Sequence, residues 1–242
     1  MTAFEALMDA RHGPWFRPWV VVLAASVAWT LLVLLDGLPD EAELIREVQS
    51  WGFPGAEVAD AVRDLTTTSF VVVLGVVVAV MHALERDRRA AMVLIVLLIA
   101  LVAVQGGLKE LVDRPRPSEA VAGIEVRATQ TSPSFPAGHV MSPTVVYGWV
   151  IAVFVRGGPG RAAAPAGLKR SGAMETVRAA AHPGWLLLAA FLAGVLVLAC
   201  IVNVYLGVHW PSDVVGGYAW GLVLLLPALS VYERARGTSV LR

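Results

Sequence analysis

Six long apolar runs constrain the fold of this chain more than any other feature. They cover residues 18–35, 68–84, 90–108, 139–155, 185–205 and 214–231. A helix of about 20 apolar residues crosses the hydrocarbon core of a bilayer. A helix also satisfies its own backbone hydrogen bonds, which a bilayer-spanning segment must do. We therefore predict an all-α, polytopic membrane protein whose six transmembrane helices form one bundle, with residues 1–242 as a single membrane-embedded domain.

Composition agrees with a membrane class. Hydrophobic residues make up 57% of the chain and charged residues 16%, whereas soluble domains carry about 25% charged residues. The formal net charge is zero, so we expect no nucleic-acid partner. The one cysteine, Cys200, lies within an apolar run and has no intrachain partner for a disulfide.

The first loop between apolar runs contains a second helical pattern. Leu44, Ile45, Val48 and Trp51 recur at helical spacing within residues 41–51. We predict an amphipathic helix at the membrane interface in this first outer loop. The alternatives are a cap that packs on the bundle and a site for a partner protein.

The distribution of basic residues predicts the orientation. Thirteen of the 19 Lys and Arg residues lie in the N-terminus, the second–third loop, the fourth–fifth loop and the C-terminal tail. Cytoplasmic segments of membrane proteins carry such an excess. We therefore expect a multi-pass protein of the cell membrane with both termini cytoplasmic, which places residues 109–138 and His209 together on the outer side.

The sequence YLGVHWPSDVVGG, residues 205–217, stands between the fifth and sixth runs. Pro211 is suited to the first turn of a helix, and Asp213 would then lie in that turn, four residues after His209. A carboxylate that holds one imidazole nitrogen leaves the other free as a nucleophile or base. The pair is therefore a candidate catalytic site.

Two more polar clusters fall on the same predicted side. Lys109 and Arg116 are seven residues apart, and Pro115 predicts that the helix ends before it. These two cations are candidates for binding an anion or for anchoring to lipid headgroups. Gly138 and His139 precede the fourth run, at a predicted helix N-terminus, which is a favourable place for phosphate. The alternative role for His139 is a structural hydrogen bond.

Together the clusters predict a site for an anionic group. They supply two cations, two histidines and one carboxylate on one face of the membrane. Two histidines can divide the work of group transfer, one attacking and the other protonating the leaving group.

The three stretches resemble the type 2 phosphatidic acid phosphatase superfamily, which includes membrane lipid phosphatases and soluble relatives such as vanadium haloperoxidases. The signature of that family reads K-x6-R-P, then P-S-G-H, then S-R-x5-H-x3-D. Lys109, Arg116 and Pro117 match the first motif fully, and the order and spacing of all three motifs agree. The resemblance covers a bit over half of the chain, from the third run to the sixth.

Two phosphate-binding positions depart from the signature. Ala137 stands in place of the serine of the second motif, and Asn203 in place of the arginine of the third, preceded by Val202. Losing a charged hydrogen bond to an anion costs about 1.5–3 kcal/mol, and asparagine lacks the bidentate grip of arginine. Arg114, Arg127 or a neighbour are the candidates to replace the missing charge.

The resemblance implies a role for each matched residue. His209 would be the nucleophile that forms a phosphohistidine intermediate, Asp213 would orient it, and His139 would protonate the departing lipid alkoxide. The implied phosphate-binding set consists of Lys109, Arg116, Gly138, Asn203 and Ala137. No metal and no cofactor is implied.

The implied function is a membrane lipid phosphatase. Its substrate would be a lipid phosphate monoester or diphosphate, of the polyprenyl diphosphate, phosphatidic acid or phosphatidylglycerophosphate type, presented by the outer leaflet. The alternatives are a phosphotransferase on the same site and a catalytically weak protein that binds or transports lipid phosphates. The sequence leaves the headgroup, the tail and the oligomeric state undetermined.

Overall fold

The computed structural model describes residues 16–35, 37–118, 121, 123–157 and 183–235, and the regular secondary structure within these ranges is helical throughout. The helices, in chain order, are α1 (Phe16–Leu35), α2 (Glu41–Ser50), α3 (Ala56–Thr66), α4 (Thr68–Leu84), α5 (Arg88–Val112), α6 (Gly138–Gly157), α7 (Pro183–Tyr205) and α8 (Pro211–Ala235).

The long apolar helices are candidate membrane spans. Four helices in the described part of the chain, α1, α5, α7 and α8, are long and apolar enough to cross a bilayer. Helices α3 and α4 meet at a bend of 49° and together make a fifth candidate. Helix α6 is apolar but shorter, over Gly138–Val153. These elements support a membrane protein, and the number of six spans stays a prediction.

Local chemistry fixes both ends of α5 and the start of α8. The Asp87 side chain accepts a hydrogen bond from the Ala90 N–H at 3.1 Å and so caps the start of α5. Helix α5 ends at Val112, and Asp113 follows in the left-handed region with φ 41°. Because Pro115 disfavours helix in the residue before it, the chain leaves the helix here, as predicted. Helix α8 begins at Pro211, also as predicted.

Helices α6 and α8 pack along each other at the centre of the structure. Glycines permit the close approach: a Cβ on Gly148 would lie 2.5 Å from Leu225, and one on Gly221 would lie 2.8 Å from Thr144. Helix α1 lies against α8 and is joined to it by three indole hydrogen bonds. They run from Trp19 to the Val223 carbonyl (3.0 Å), from Trp29 to the Ser212 carbonyl (2.9 Å) and from Trp220 to the Thr30 hydroxyl (3.0 Å).

The first loop forms a cap over one end of α7. A helix does occupy most of the predicted residues 41–51, and it buries Ile45 and Val48 in a core shared with α7. The Gln49 side chain donates a hydrogen bond to the Tyr205 carbonyl at 2.9 Å, at the last residue of α7. The loop contains a second helix, α3, that the sequence analysis did not predict. Placement of α2 at a membrane interface stays a prediction.

Candidate active site

The turn between α7 and α8 places His209 beside Asp213. The His209 side chain is 1% exposed and the Asp213 side chain is fully buried. Atom Nδ1 of His209 lies 3.6 Å from Oδ2 of Asp213 and makes no hydrogen bond. The same Oδ2 accepts a hydrogen bond of 2.9 Å from the backbone N–H of Trp210, which helps to fix the carboxylate. The predicted pair is therefore brought together.

Arg116 lies on the other side of the imidazole ring. Its Nη1 is 3.2 Å from Nε2 of His209 and donates a hydrogen bond of 2.5 Å to the Val208 carbonyl. Because a guanidinium only donates, this contact assigns Nε2 as the acceptor and puts the ring proton on Nδ1, towards Asp213. The two nitrogens of His209 thus face groups of opposite charge.

Burial governs the protonation of His209. It lowers the pKa of the imidazole to about 4; the Asp213 carboxylate works in the opposite direction, and the charges of Arg116 and Lys109 lower the pKa further. At neutral pH the ring is therefore uncharged, with a lone pair on Nε2. This is the protonation state that a histidine nucleophile requires.

Lys109 and Arg116 converge although they are not on one helix. Lys109 lies in the last turn of α5, and its ammonium group donates to the Pro133 carbonyl. Arg116, in the following loop, donates from Nε to the Ser132 carbonyl at 2.7 Å and from Nη2 to the Pro133 carbonyl at 3.4 Å. Both predicted cations therefore meet at the same short segment.

A third cation reaches this segment from α3. Arg63 donates from Nη2 to the Thr129 carbonyl at 3.3 Å. Burial lowers the pKa of Arg116, Asp213 raises it, and the charge of Arg63 lowers it again. His139 is also within the electrostatic reach of Arg63. Sequence analysis did not identify Arg63, because no motif or local pattern places α3 beside the three signature stretches.

His139 is the second residue of α6, and its Nε2 is buried without a hydrogen-bond partner. The adjacent Gly138 is closely packed, since a Cβ there would lie 2.9 Å from Nε2 of Gln105 and 3.3 Å from Oγ1 of Thr68. The Ser142 hydroxyl, one turn along α6, donates to Oε1 of Gln105 at 3.0 Å. This polar group of side chains sets the position of the α6 N-terminus.

Backbone contacts fasten the three signature stretches to one another. The Ala137 N–H donates to the Asp213 carbonyl at 3.0 Å. The Pro115 carbonyl accepts from the Trp210 indole at 2.9 Å and from the Ser134 hydroxyl at 3.2 Å. Ala137 itself is fully buried. The structure thus brings the start of α6, the start of α8 and the loop after α5 into one site.

Asn203 is buried near the end of α7. Its side-chain amide donates a hydrogen bond of 2.7 Å to the Ala199 carbonyl, so one amide N–H is occupied within the helix. Its backbone carbonyl lies 3.3 Å from the N–H groups of both Val208 and His209. Asn203 therefore shapes the turn that carries His209. Its contact with a phosphate stays a prediction.

The two candidate replacements for the missing charge are already paired. Arg114 lies between Glu41, at 2.6 Å, and Asp213, at 2.7 Å. Arg127 pairs with Glu125 at 2.8 Å and stacks over the Tyr205 ring. Arg114 therefore supports Asp213, a role that no local pattern predicts, because Asp213 and Glu41 are both far from Arg114 along the chain.

The described residues contain no group of three or more His, Cys, Asp or Glu side chains arranged to hold a metal ion. The arrangement they do contain suits an anion. The cations Arg116 and Lys109 lie near a buried neutral imidazole, and a second histidine carries a ring nitrogen without a hydrogen-bond partner. Such a site can bind a phosphoryl group, attack it and transfer a proton.

Comparison with known proteins agrees with this chemistry. The sequence profile of the PAP2 superfamily matches residues 90–236, more than half of the chain. Phosphatidylglycerophosphatase B of Bacillus subtilis (strain 168) is 28% identical over 206 residues, which cover 84% of this chain and 86% of the relative.

A solved structure shares the fold. It is the crystal structure of a transmembrane PAP2-type phosphatidylglycerolphosphate phosphatase from Bacillus subtilis, with a TM-score of 0.65 and 19% sequence identity. The match covers 93% of this chain and 98% of the other. The profile match, together with the site geometry, identifies the chain as a member of the PAP2 superfamily.

Proposed function

We propose that the chain is an integral membrane lipid phosphatase that works through a phosphohistidine intermediate on His209. The observation that carries the proposal is the environment of this ring. Its Nε2 faces Arg116 at 3.2 Å, and its Nδ1 faces Asp213 at 3.6 Å. The ring is neutral and buried, and the Arg116 cation lies beside the nitrogen that would attack the phosphoryl group.

In the first step, Nε2 of His209 attacks the phosphorus of the bound lipid phosphate. The bond between phosphorus and the lipid oxygen breaks, and His139, which is protonated once the phosphate dianion is bound beside it, gives its second ring proton to that oxygen. The imidazole becomes positively charged as the new bond between nitrogen and phosphorus forms. Asp213 stabilises this charge and holds the Nδ1 proton. The products of the step are a lipid alcohol and a phosphoenzyme.

In the second step, water attacks the phosphohistidine. His139, now neutral, takes a proton from the water, the bond between Nε2 and phosphorus breaks, and inorganic phosphate leaves. Both steps spread negative charge over the transferring oxygens. Lys109 and Arg116 would bind these oxygens in place of the carbonyl groups they contact now, and Arg63 adds positive charge nearby.

For the substrate we propose a lipid phosphate on the outer leaflet, with its tail between helices and its headgroup at the cations. The relative from Bacillus subtilis is named as a phosphatidylglycerophosphatase, which supports phosphate monoesters as the first class to test. Phosphatidic acid and polyprenyl diphosphates are the other candidates. Ala137 and Asn203 replace the serine and the arginine that the family resemblance implies as phosphate ligands, and these two changes favour a shifted preference among these lipids.

The test is phosphate release by the purified full chain in lipid nanodiscs. The substrates are phosphatidylglycerophosphate, phosphatidic acid and a polyprenyl diphosphate, each with the wild type and with His209→Ala. We expect release from at least one lipid and none from the variant. Phosphate that appears on an added alcohol instead of water would identify a phosphotransferase. Equal lipid binding by both proteins, without release, would identify a binding or transport protein.

A further inference from the structure

A buried carboxylate from outside the three motifs lies against the candidate site. Glu41, in the first turn of α2, is 7% exposed. Its Oε1 accepts hydrogen bonds from the backbone N–H of Ser212 at 2.8 Å and from its hydroxyl at 2.6 Å. Its Oε2 is 2.6 Å from Nη2 of Arg114. Because a buried charge is costly unless it is paired and hydrogen-bonded, these contacts mark Glu41 as part of a built network.

The backbone closes tightly over this ion pair. Gly37, before α2, has φ +76°, and a Cβ there would lie 2.7 Å from Nη2 of Arg114 and 3.0 Å from Oε2 of Glu41. A glycine therefore allows the chain to cover the pair at a distance that a side chain would prevent.

Arg114 is shared between two carboxylates. Its Nη1 binds Oδ1 of Asp213 at 2.7 Å, while Nη2 binds Glu41. A guanidinium facing one carboxylate tends to bind both oxygens through its two nitrogens. Glu41 engages the second nitrogen, so Arg114 contacts a single oxygen of Asp213. The other oxygen, Oδ2, stays with the Trp210 N–H at 2.9 Å and near Nδ1 of His209 at 3.6 Å.

We propose that Glu41 is a positioning residue for the His209–Asp213 pair. By holding Arg114, it keeps Oδ2 of Asp213 facing the imidazole. Without the charge of Glu41, the Arg114 fork would turn to both oxygens of Asp213 and draw the carboxylate away from His209. The role in catalysis rests on the proposed phosphatase function, and it extends the functional site to the first loop of the chain.

A purely structural role makes different predictions. Glu41 also accepts from the Ser212 N–H, so it acts as a cap on the first turn of α8. Loss of a cap lowers thermal stability. Loss of a cap should leave the pKa of His209 unchanged, and it should not lower kcat selectively while KM stays nearly constant.

The first variant is Glu41→Gln in the full-length protein, which keeps the shape of the side chain and removes its charge. We expect kcat on the best lipid substrate to fall about tenfold while KM changes less than about twofold, because contacting groups in one network couple at this level. The pKa of His209 should fall, because the loss of a nearby negative charge makes the imidazolium form less favourable. The matched control is Glu43→Gln, on the same helix but exposed. It should keep the wild-type kcat, KM and His209 pKa.

A double variant separates positioning from capping. In the background of Arg114→Met, Glu41→Gln should cost little more activity, because its effect passes through Arg114. The cap on α8 would be lost in either background, so full additivity of the two losses would overturn the proposal.

The pKa of His209 is measured by NMR on protein labelled with ¹⁵N-histidine, and this readout needs no turnover. If the wild type releases no phosphate from any lipid, the proposed function fails. The comparison of the His209 pKa between wild type and Glu41→Gln still tests the influence of Glu41. An unchanged pKa, with activity either present or absent, would refute it.

Discussion

The two histidines of the candidate site lie in contrasting surroundings. His209 has a charged group near each ring nitrogen, Arg116 at 3.2 Å and Asp213 at 3.6 Å. His139, at the start of α6, buries a ring nitrogen that has no hydrogen-bond partner. Nδ1 of His209 also makes no hydrogen bond, but it faces the Asp213 carboxylate, so charged groups of the protein itself orient this ring.

This difference corresponds to different roles for the two rings in catalysis. An unsatisfied buried polar atom costs about 1–3 kcal/mol, which a bound ligand can recover by supplying the missing partner. The lipid oxygen of a phosphate ester is such a partner for His139. A nucleophile, by contrast, benefits from being oriented before the substrate arrives. The contrast therefore fits a nucleophile at His209 and a proton donor at His139.

The largest effect is expected for His209→Ala. Removal of the nucleophile should lower kcat by about 10⁴-fold or more, as for other nucleophiles that act within a catalytic group. Binding of the lipid phosphate should survive, because Lys109 and Arg116 remain. The measurement is phosphate release and lipid binding by the same preparation. Residual turnover near the wild-type level would remove His209 from the mechanism.

The next effect sharpens the contrast between the histidines. His139→Gln should lower turnover of a lipid substrate by about 10²–10⁴-fold, the range of a general acid. Release of the phenol in the first turnover of an aryl phosphate should fall much less, because a phenolate leaves without a proton. The His209→Ala variant should lose activity on both substrates. An equal loss by His139→Gln in the first-turnover release of the lipid alcohol and of the phenol would contradict its assignment as the acid.

A smaller effect is expected from the cation beside His209. Arg116→Lys keeps the charge but loses the fork that binds several oxygens, and it should lower kcat about 10²-fold, as for the loss of one transition-state donor. Arg127→Lys is the matched control, because Arg127 is already paired with Glu125 at 2.8 Å. A comparable loss in the control would contradict a specific role for the Arg116 guanidinium.

The smallest expected effect is a shift in the pKa of His209. The pKa of His209 is lowered to about 4 by burial, with Asp213 opposing the shift, against about 6.5 for an unperturbed histidine. The unfolded chain therefore binds more protons in the window between these values, and the contribution of His209 to stability rises with pH across it. Because Asp213 raises this pKa, Asp213→Asn should lower it further. The ¹⁵N-histidine NMR titration measures both, and a pKa above 6.5 would contradict the buried neutral ring.

Much of the site could be anticipated because its signals are local. Pro115 predicts the end of α5, and Pro211 predicts the start of α8, since proline restricts the backbone of its own residue and the one before it. The spacing of Lys109 and Arg116 indicated that two cations belong together. The structure brings them together through the Ser132 and Pro133 carbonyls rather than along one helix.

Other parts of the site left no local signal. Glu41 and Arg63 come from the first loop and meet the site only through tertiary packing of α2 and α3. A glutamate at the start of a helix is common for electrostatic reasons, so Glu41 gave no sign of its contact with Arg114. The bend of 49° between α3 and α4 could not be predicted from the sequence either, because no proline or glycine lies at the junction of the two helices.

The most direct measurement is the detection and mapping of a phosphoenzyme. The wild-type protein is mixed with a lipid substrate carrying labelled phosphate, quenched during the first turnover under alkaline conditions that preserve phosphohistidine, and digested for mass spectrometry. We predict a phosphoryl group on His209 in the wild type and none in His209→Ala. In His139→Gln, an aryl phosphate should still phosphorylate His209, and the phosphoenzyme should accumulate because water attack is slowed. Phosphate release at full rate with no labelled His209, or with the label on another residue, would contradict the central claim.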